Sequence, residues 1–258
     1  MKPIVYKALA RGVFLESLRR KDLWVVAILG FLILMGASAL GFFGVQGLQV
    51  FVKDLAVTVL GAFSTIVAVL TSTRMLPEEI KQRTLYPLLS RPISRLDLLI
   101  GKLLGSILVT WLAFSILCTL TAVALFGFGV NLEPIMGQYV LAKMLGLALV
   151  CAFGLTLSIY MTPAAAATTT FIFTFGSTII VRGLTSGYEQ AGPAMQFAFK
   201  FFNAILPQFT LFDLGGRAAN VGWSPVPLWV MGFLFGYWIL YSSGLMALGW
   251  IRFQKKAI

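Results

Sequence analysis

The stretch Leu103-LGSILVTWLAFSILCTLTAVALFG-Phe128 decides the class of this protein. It contains no charged residue. At about 1.5 Å per residue, a helix of this length runs about 39 Å, more than the roughly 30 Å of bilayer hydrocarbon. It reads as a membrane-spanning helix. Further apolar blocks cover about 23–40, 55–71, 139–159, 163–181 and 227–251, and none carries an acid in its middle. Composition agrees: apolar residues make up 59% and charged residues 11%, where soluble domains carry about 25% charged. Mean hydropathy is +0.92. The expectation is an all-α integral membrane protein of six transmembrane helices, one domain over 1–258.

The net charge of +11 would point to nucleic acid in a soluble chain. Here the basic residues flank apolar blocks, which directs them to an anionic membrane surface and excludes a nucleic-acid partner. Lys2, Lys7, Arg11, Arg19, Arg20 and Lys21 precede the first block. Arg74, Lys81, Arg83, Arg91, Arg95 and Lys102 lie between the second and third, and Arg252, Lys255 and Lys256 follow the last. Lys53, Lys143, Arg182, Lys200 and Arg217 fall on or near the other side. The positive-inside rule then puts both termini in the cytoplasm. The opening MKPIVYKALARGVFLESLRRKD is long, polar and acid-bearing, unlike a cleavable signal peptide.

Histidine is absent, which excludes histidine-based nucleophile systems and metal sites. Cys118 and Cys151 sit inside apolar blocks and read as small buried hydrophobes. The nine methionines are scattered, so they form no metal path. No Gly-x-x-x-x-Gly-Lys-Ser/Thr occurs, so the chain has no P-loop for nucleotide phosphates and no cofactor site of its own. Paired intramembrane acids are missing, against an intramembrane hydrolase. A secondary transporter or channel would bring intramembrane charge or inverted repeats.

The topology leaves 74–102 as the one sizeable cytoplasmic loop. Within Pro77-EEIKQRTLYPLLSRPISRLDLLIGKLL-Gly105, Pro77 is expected in the first turn of a helix. Glu78 and Glu79 would then sit where the dipole favours acids. Pro87 ends that helix near Tyr86, Ser90-Arg91-Pro92 turns, and Ser94 caps a new helix with Asp97 three residues on. This helix feeds the third span past Gly101 and Gly105, whose spacing permits close packing. Ile80, Leu85, Leu88, Leu89 and Ile93 alternate with charges. Such a segment either docks a partner or rests on the membrane surface. In the fifth block, Ala164, Thr168 and Gly176 offer a small-residue packing face. The outer loop 182–226 is dense in aromatics, as in Met195-QFAFKFF-Asn203, and reads as interfacial or re-entrant, or as a loop packed on helix ends.

The run Glu79-Ile80-x-x-x-Thr84-Leu85-x-x-Leu88-Leu89-Ser90-x-Pro92-Ile93-Ser94-Arg95, closing with Gly101-Lys102, resembles the signature of ABC-2 type permeases, in particular single-chain bacterial permeases similar to the NosY group. Arg83 stands where many members have Gly. The resemblance implies a permease subunit of an ABC transporter in the bacterial inner membrane, with an N-terminal amphipathic elbow helix and a re-entrant segment between helices five and six. It implies a permease homodimer served by two copies of a cytoplasmic P-loop ATPase that carries the ATP and Mg, and it leaves room for an accessory periplasmic protein. The loop would be the coupling helix, with Glu78, Glu79, Arg83, Arg91 and Arg95 as charged contacts and Ile80, Leu85 and Leu88 as apolar anchors. Thr84, Ser90, Pro92, Ile93 and Ser94 complete the coupling segment. An ATPase-driven anchor that moves no cargo would share all of these features.

Overall fold

The computed structural model describes residues 12–13, 28, 30, 48–81, 94–127, 133–188, 192, 195–197, 200–201, 206–219 and 224–255. Most of the expected elbow helix, most of the first span and the centre of the 74–102 loop lie outside these residues. The rest is helical: α1 (Leu48–Lys81), α2 (Arg95–Gly127), α3 (Pro134–Tyr160), α4 (Pro163–Tyr188), a 3₁₀ turn (Phe209–Phe212), α5 (Gly215–Ala219) and α6 (Leu228–Gln254). Lys53–Lys81, Arg95–Val123, α3 and α6 are each long and apolar enough to cross a membrane. The protein is a multi-pass helical membrane protein.

Helix α3 is the central post, packed against α1, α2, α4 and α6. Two glycines allow this approach. A side chain at Gly146 would meet Phe212 Cβ at 2.8 Å, and one at Gly154 would collide with Ser72 Oγ. Around α3 the core gathers Val67, Phe114, Leu147, Leu149, Phe153 and Phe212, with Phe153 set edge-on to Phe173 of α4 and Phe209.

Hydroxyls are tolerated in this interior because they donate back along their own helix. Ser64, Thr65, Ser72 and Thr73 donate to the carbonyls four residues earlier at 2.6–2.7 Å. A tight reversal separates α3 from α4: Met161 N–H donates to Leu157 O at 2.9 Å, and Pro163 opens α4.

One expectation needs correction. Pro77 does not begin a helix; it lies inside α1, which runs on to Lys81. Proline forfeits one helical donor and crowds the carbonyl four residues back. That local cost is offset by packing, because the neighbouring Leu76 is fully buried among Leu98, Leu99, Leu155, Ile159 and Phe253. Glu78 and Glu79 therefore sit at the C-terminal end of α1, where the dipole disfavours acids. The helix begun at Pro163 runs to Tyr188. Within the chain α4 packs through Ala166, Thr170 and Ser177, while Ala164 and Thr168 are exposed and Gly176 is half-buried.

Candidate functional site: a charged hub at one end of the bundle

The end of α1, the start of α2, and the ends of α3 and α6 converge on one small apolar cluster: Leu76, Leu98, Leu99, Leu155, Ile159 and Phe253. Ile80 and Trp250 pack against it. Polar contacts ring this cluster. Lys102, buried on α2, donates to Glu79 Oε1 at the end of α1 in a part-buried ion pair. The pair compensates the unfavourable dipole position of Glu79. An ion pair taken out of water this far tolerates no single loss, since removing one member strands the other charge.

Arg95 closes the opposite side. Its Nη1 donates to the carbonyls of Phe253 at 2.9 Å and Gln254 at 3.1 Å, the last orphan acceptors of α6. Its guanidinium also lies 5.9 Å from the centre of the Phe253 ring. Arg252 sits over Tyr160 at 5.8 Å, and Tyr160 Oη donates to Leu248 O at 3.0 Å. Ser94 caps α2 in the expected manner: Asp97 N–H donates to Ser94 Oγ at 3.1 Å, and Ser94 Oγ lies 2.6 Å from Asp97 Oδ2.

The hub thus grips both ends of the segment between α1 and α2. Of the residues expected to meet a partner, Glu79, Ile80 and Arg95 are engaged within the chain, Glu78 is half-buried and Ser94 is a cap. Arg83, Thr84, Leu85, Leu88, Ser90, Arg91, Pro92 and Ile93 lie outside the described residues. Gly101 is buried in α2. Gly105 faces Val13, whose Cβ would stand 2.6 Å from an added methyl, so Val13 packs directly on α2 there.

A family model described as "Protein of unknown function (DUF2705)" matches residues 23–258. The chain belongs to the DUF2705 family. No curated protein matches it. The matched range of this DUF2705 member takes in every long helix described and all the residues of the hub.

At the other end of this DUF2705 chain lies a feature that sequence reading missed. A cavity of about 300 Å³ opens between α1, α3, α4 and the 3₁₀ turn, with Lys143, Asp54 and Asp213 on its walls. Beside it, Lys53 pairs with Glu133 at 3.2 Å and joins the start of α1 to the start of α3. Gln138 fastens Val226 by two hydrogen bonds, of 2.8 and 2.7 Å. Cys118 and Cys151 are free thiols. Among the described residues no cluster of metal-ligating side chains forms. Lys143, expected on or near the outer side, stands on α3 about 14 Å along from Pro134, at about 1.5 Å per residue.

Proposed function

We propose that the chain is the membrane permease subunit of an ATP-binding-cassette transporter of the ABC-2 type, an exporter working with a separate ATPase. The observation that carries this reading is the hub. It grips the motif-bearing segment between α1 and α2 on both flanks, through Glu79–Lys102 and through Arg95 on α6. A push on that segment would pass directly into α1, α2 and α6, which is what a transmission element needs.

In this reading the chain has six spans, with both termini and the hub on the cytoplasmic face of a bacterial inner membrane. Two copies form the path, and two ATPase subunits bind the ATP and Mg. The chain itself performs no hydrolysis. Residues between 82 and 93, among them Arg83 and Arg91, meet the ATPase. Glu79 and Arg95 position them from within. This revises the expectation that Glu79 and Arg95 are themselves contact residues.

A photo-crosslinking residue at Leu88, in the chain expressed in its native membrane, tests the contact. The reading expects a crosslinked P-loop ATPase. Crosslinks to lipid alone would favour a surface-resting segment instead. A secondary transporter is the second reading, favoured by one observation: the intramembrane Lys143 facing a cavity. Transport by the purified chain without any ATPase would select it.

A further inference from the structure

We infer that the cavity at the end of the bundle opposite the hub binds a small zwitterionic group: an anionic oxygen group seated on Lys143, with its ammonium at the acids Asp54 and Asp213. The inference stands on the cavity itself and goes beyond the permease reading.

Lys143 is the first ground. It stands within a membrane-spanning helix, lines the cavity, and makes no ion pair or hydrogen bond with any described residue. Its ammonium and Tyr139 Oη both press on Gly61, at 3.3 and 3.5 Å from where a Cβ would stand. Tyr139 Oη donates to Val57 O at 3.2 Å and makes no hydrogen bond with the lysine. A cation inside a membrane protein that is closed into no ion pair is costly, even with the Asp213 carboxylate on the same cavity wall, and such residues mark ligand or ion pathways.

The walls supply the second ground. Thr65, Thr174 and Ser177 donate to carbonyls of their own helices at 2.7, 2.6 and 2.9 Å, so they offer the cavity acceptors only. Thr58 and Thr210 make no such bond to described residues and, lining the same cavity as Lys143, can donate into it. An anionic group therefore has a cation and two hydroxyls to receive it. Asp54 and Asp213 are exposed members of the same wall, and Asp213 is held by the Gly215 N–H at 3.1 Å. Carboxylates repel a simple anion but suit an ammonium a few bonds away. A volume of about 300 Å³ is at the small end of ligand sites. It fits a free zwitterion or the head group of an aminophospholipid.

The test uses the full chain in two forms. In detergent, delipidated, it is titrated calorimetrically with phosphoethanolamine and, separately, with inorganic phosphate. In nanodiscs of phosphatidylethanolamine and phosphatidylglycerol, retained lipid is counted by native mass spectrometry. The proposal expects phosphoethanolamine to bind at least tenfold more tightly than phosphate if the source is soluble, or selective retention of phosphatidylethanolamine if it is lipid. Either signal should drop at least tenfold in Lys143→Met, and its preference over phosphate or phosphatidylglycerol should vanish in Asp213→Asn. Gly61→Ala, which leaves every charge in place but crowds the ammonium, should weaken the same signal should Lys143→Met not fold. Equal binding of phosphate and phosphoethanolamine with unselective lipid retention, absence of binding in both forms, or binding unchanged by Lys143→Met or Gly61→Ala overturns it.

Discussion

Lys102 and Glu79 meet in a part-buried ion pair that bridges the segment between α1 and α2. Their side chains retain 5% and 15% of their exposure, so solvent screens the pair little. This pairing fixes the separation of the two helix ends that hold the proposed coupling segment, and the hub's behaviour should follow from it.

Glu79→Lys places two cations together at a buried position. Loss of one member of such a pair costs about 3–5 kcal/mol, so the variant should melt well below the parent in detergent. It should also fail to stimulate a bound ATPase. The exchange Glu79→Lys with Lys102→Glu should recover most of the stability. Recovery of ATPase stimulation in the exchanged pair would mark Glu79 as a positioning residue. Stability recovered without stimulation would return it to direct contact.

Arg95→Ala removes two charge-assisted hydrogen bonds to the last carbonyls of α6 and a cation over Phe253. Bonds of this kind contribute about 1.5–3 kcal/mol in favourable settings. Part of Arg95 is open to solvent, so about 1–2 kcal/mol is the expected loss. Amide exchange should rise in 250–255 and stay unchanged in the middle of α3. A uniform rise would contradict so local a role.

Gly154→Ala drives a methyl into Ser72 at the α1–α3 contact. Overpacking of this sort costs about 1–3 kcal/mol. Ser72→Ala should relieve part of it, leaving a favourable coupling in a double-mutant cycle of thermal stability. Additive effects would mean that the two helices separate freely at that point.

Much of this architecture was legible in the sequence, because a span announces itself by length and apolarity alone. The Ser94–Asp97 cap was also readable, since it rests on residues three positions apart. Tertiary packing hid the rest. Pro77 reads locally as a helix start, and only the burial of Leu76 against α2, α3 and α6 explains why α1 continues through it. Glu79 reads as a docking charge until Lys102, far along the chain, is seen to hold it. Lys143 and Asp213 are separated by α4 and part of the loop beyond, so no spacing rule joins them into one cavity. The small-residue pattern of α4 was visible, but which of its faces packs within the chain was set by the neighbours of Ala166 and Thr170.

The central claim is that this chain transmits the work of a separate ATPase. Its most direct test is to purify the tagged chain from its native membrane in mild detergent, identify what accompanies it by mass spectrometry and assay the complex for ATP hydrolysis. The account predicts a stoichiometric P-loop ATPase that hydrolyses ATP in the complex and is lost when Arg83 and Arg91 are both replaced by Glu. A chain that purifies alone, with no associated ATP hydrolysis, would contradict it.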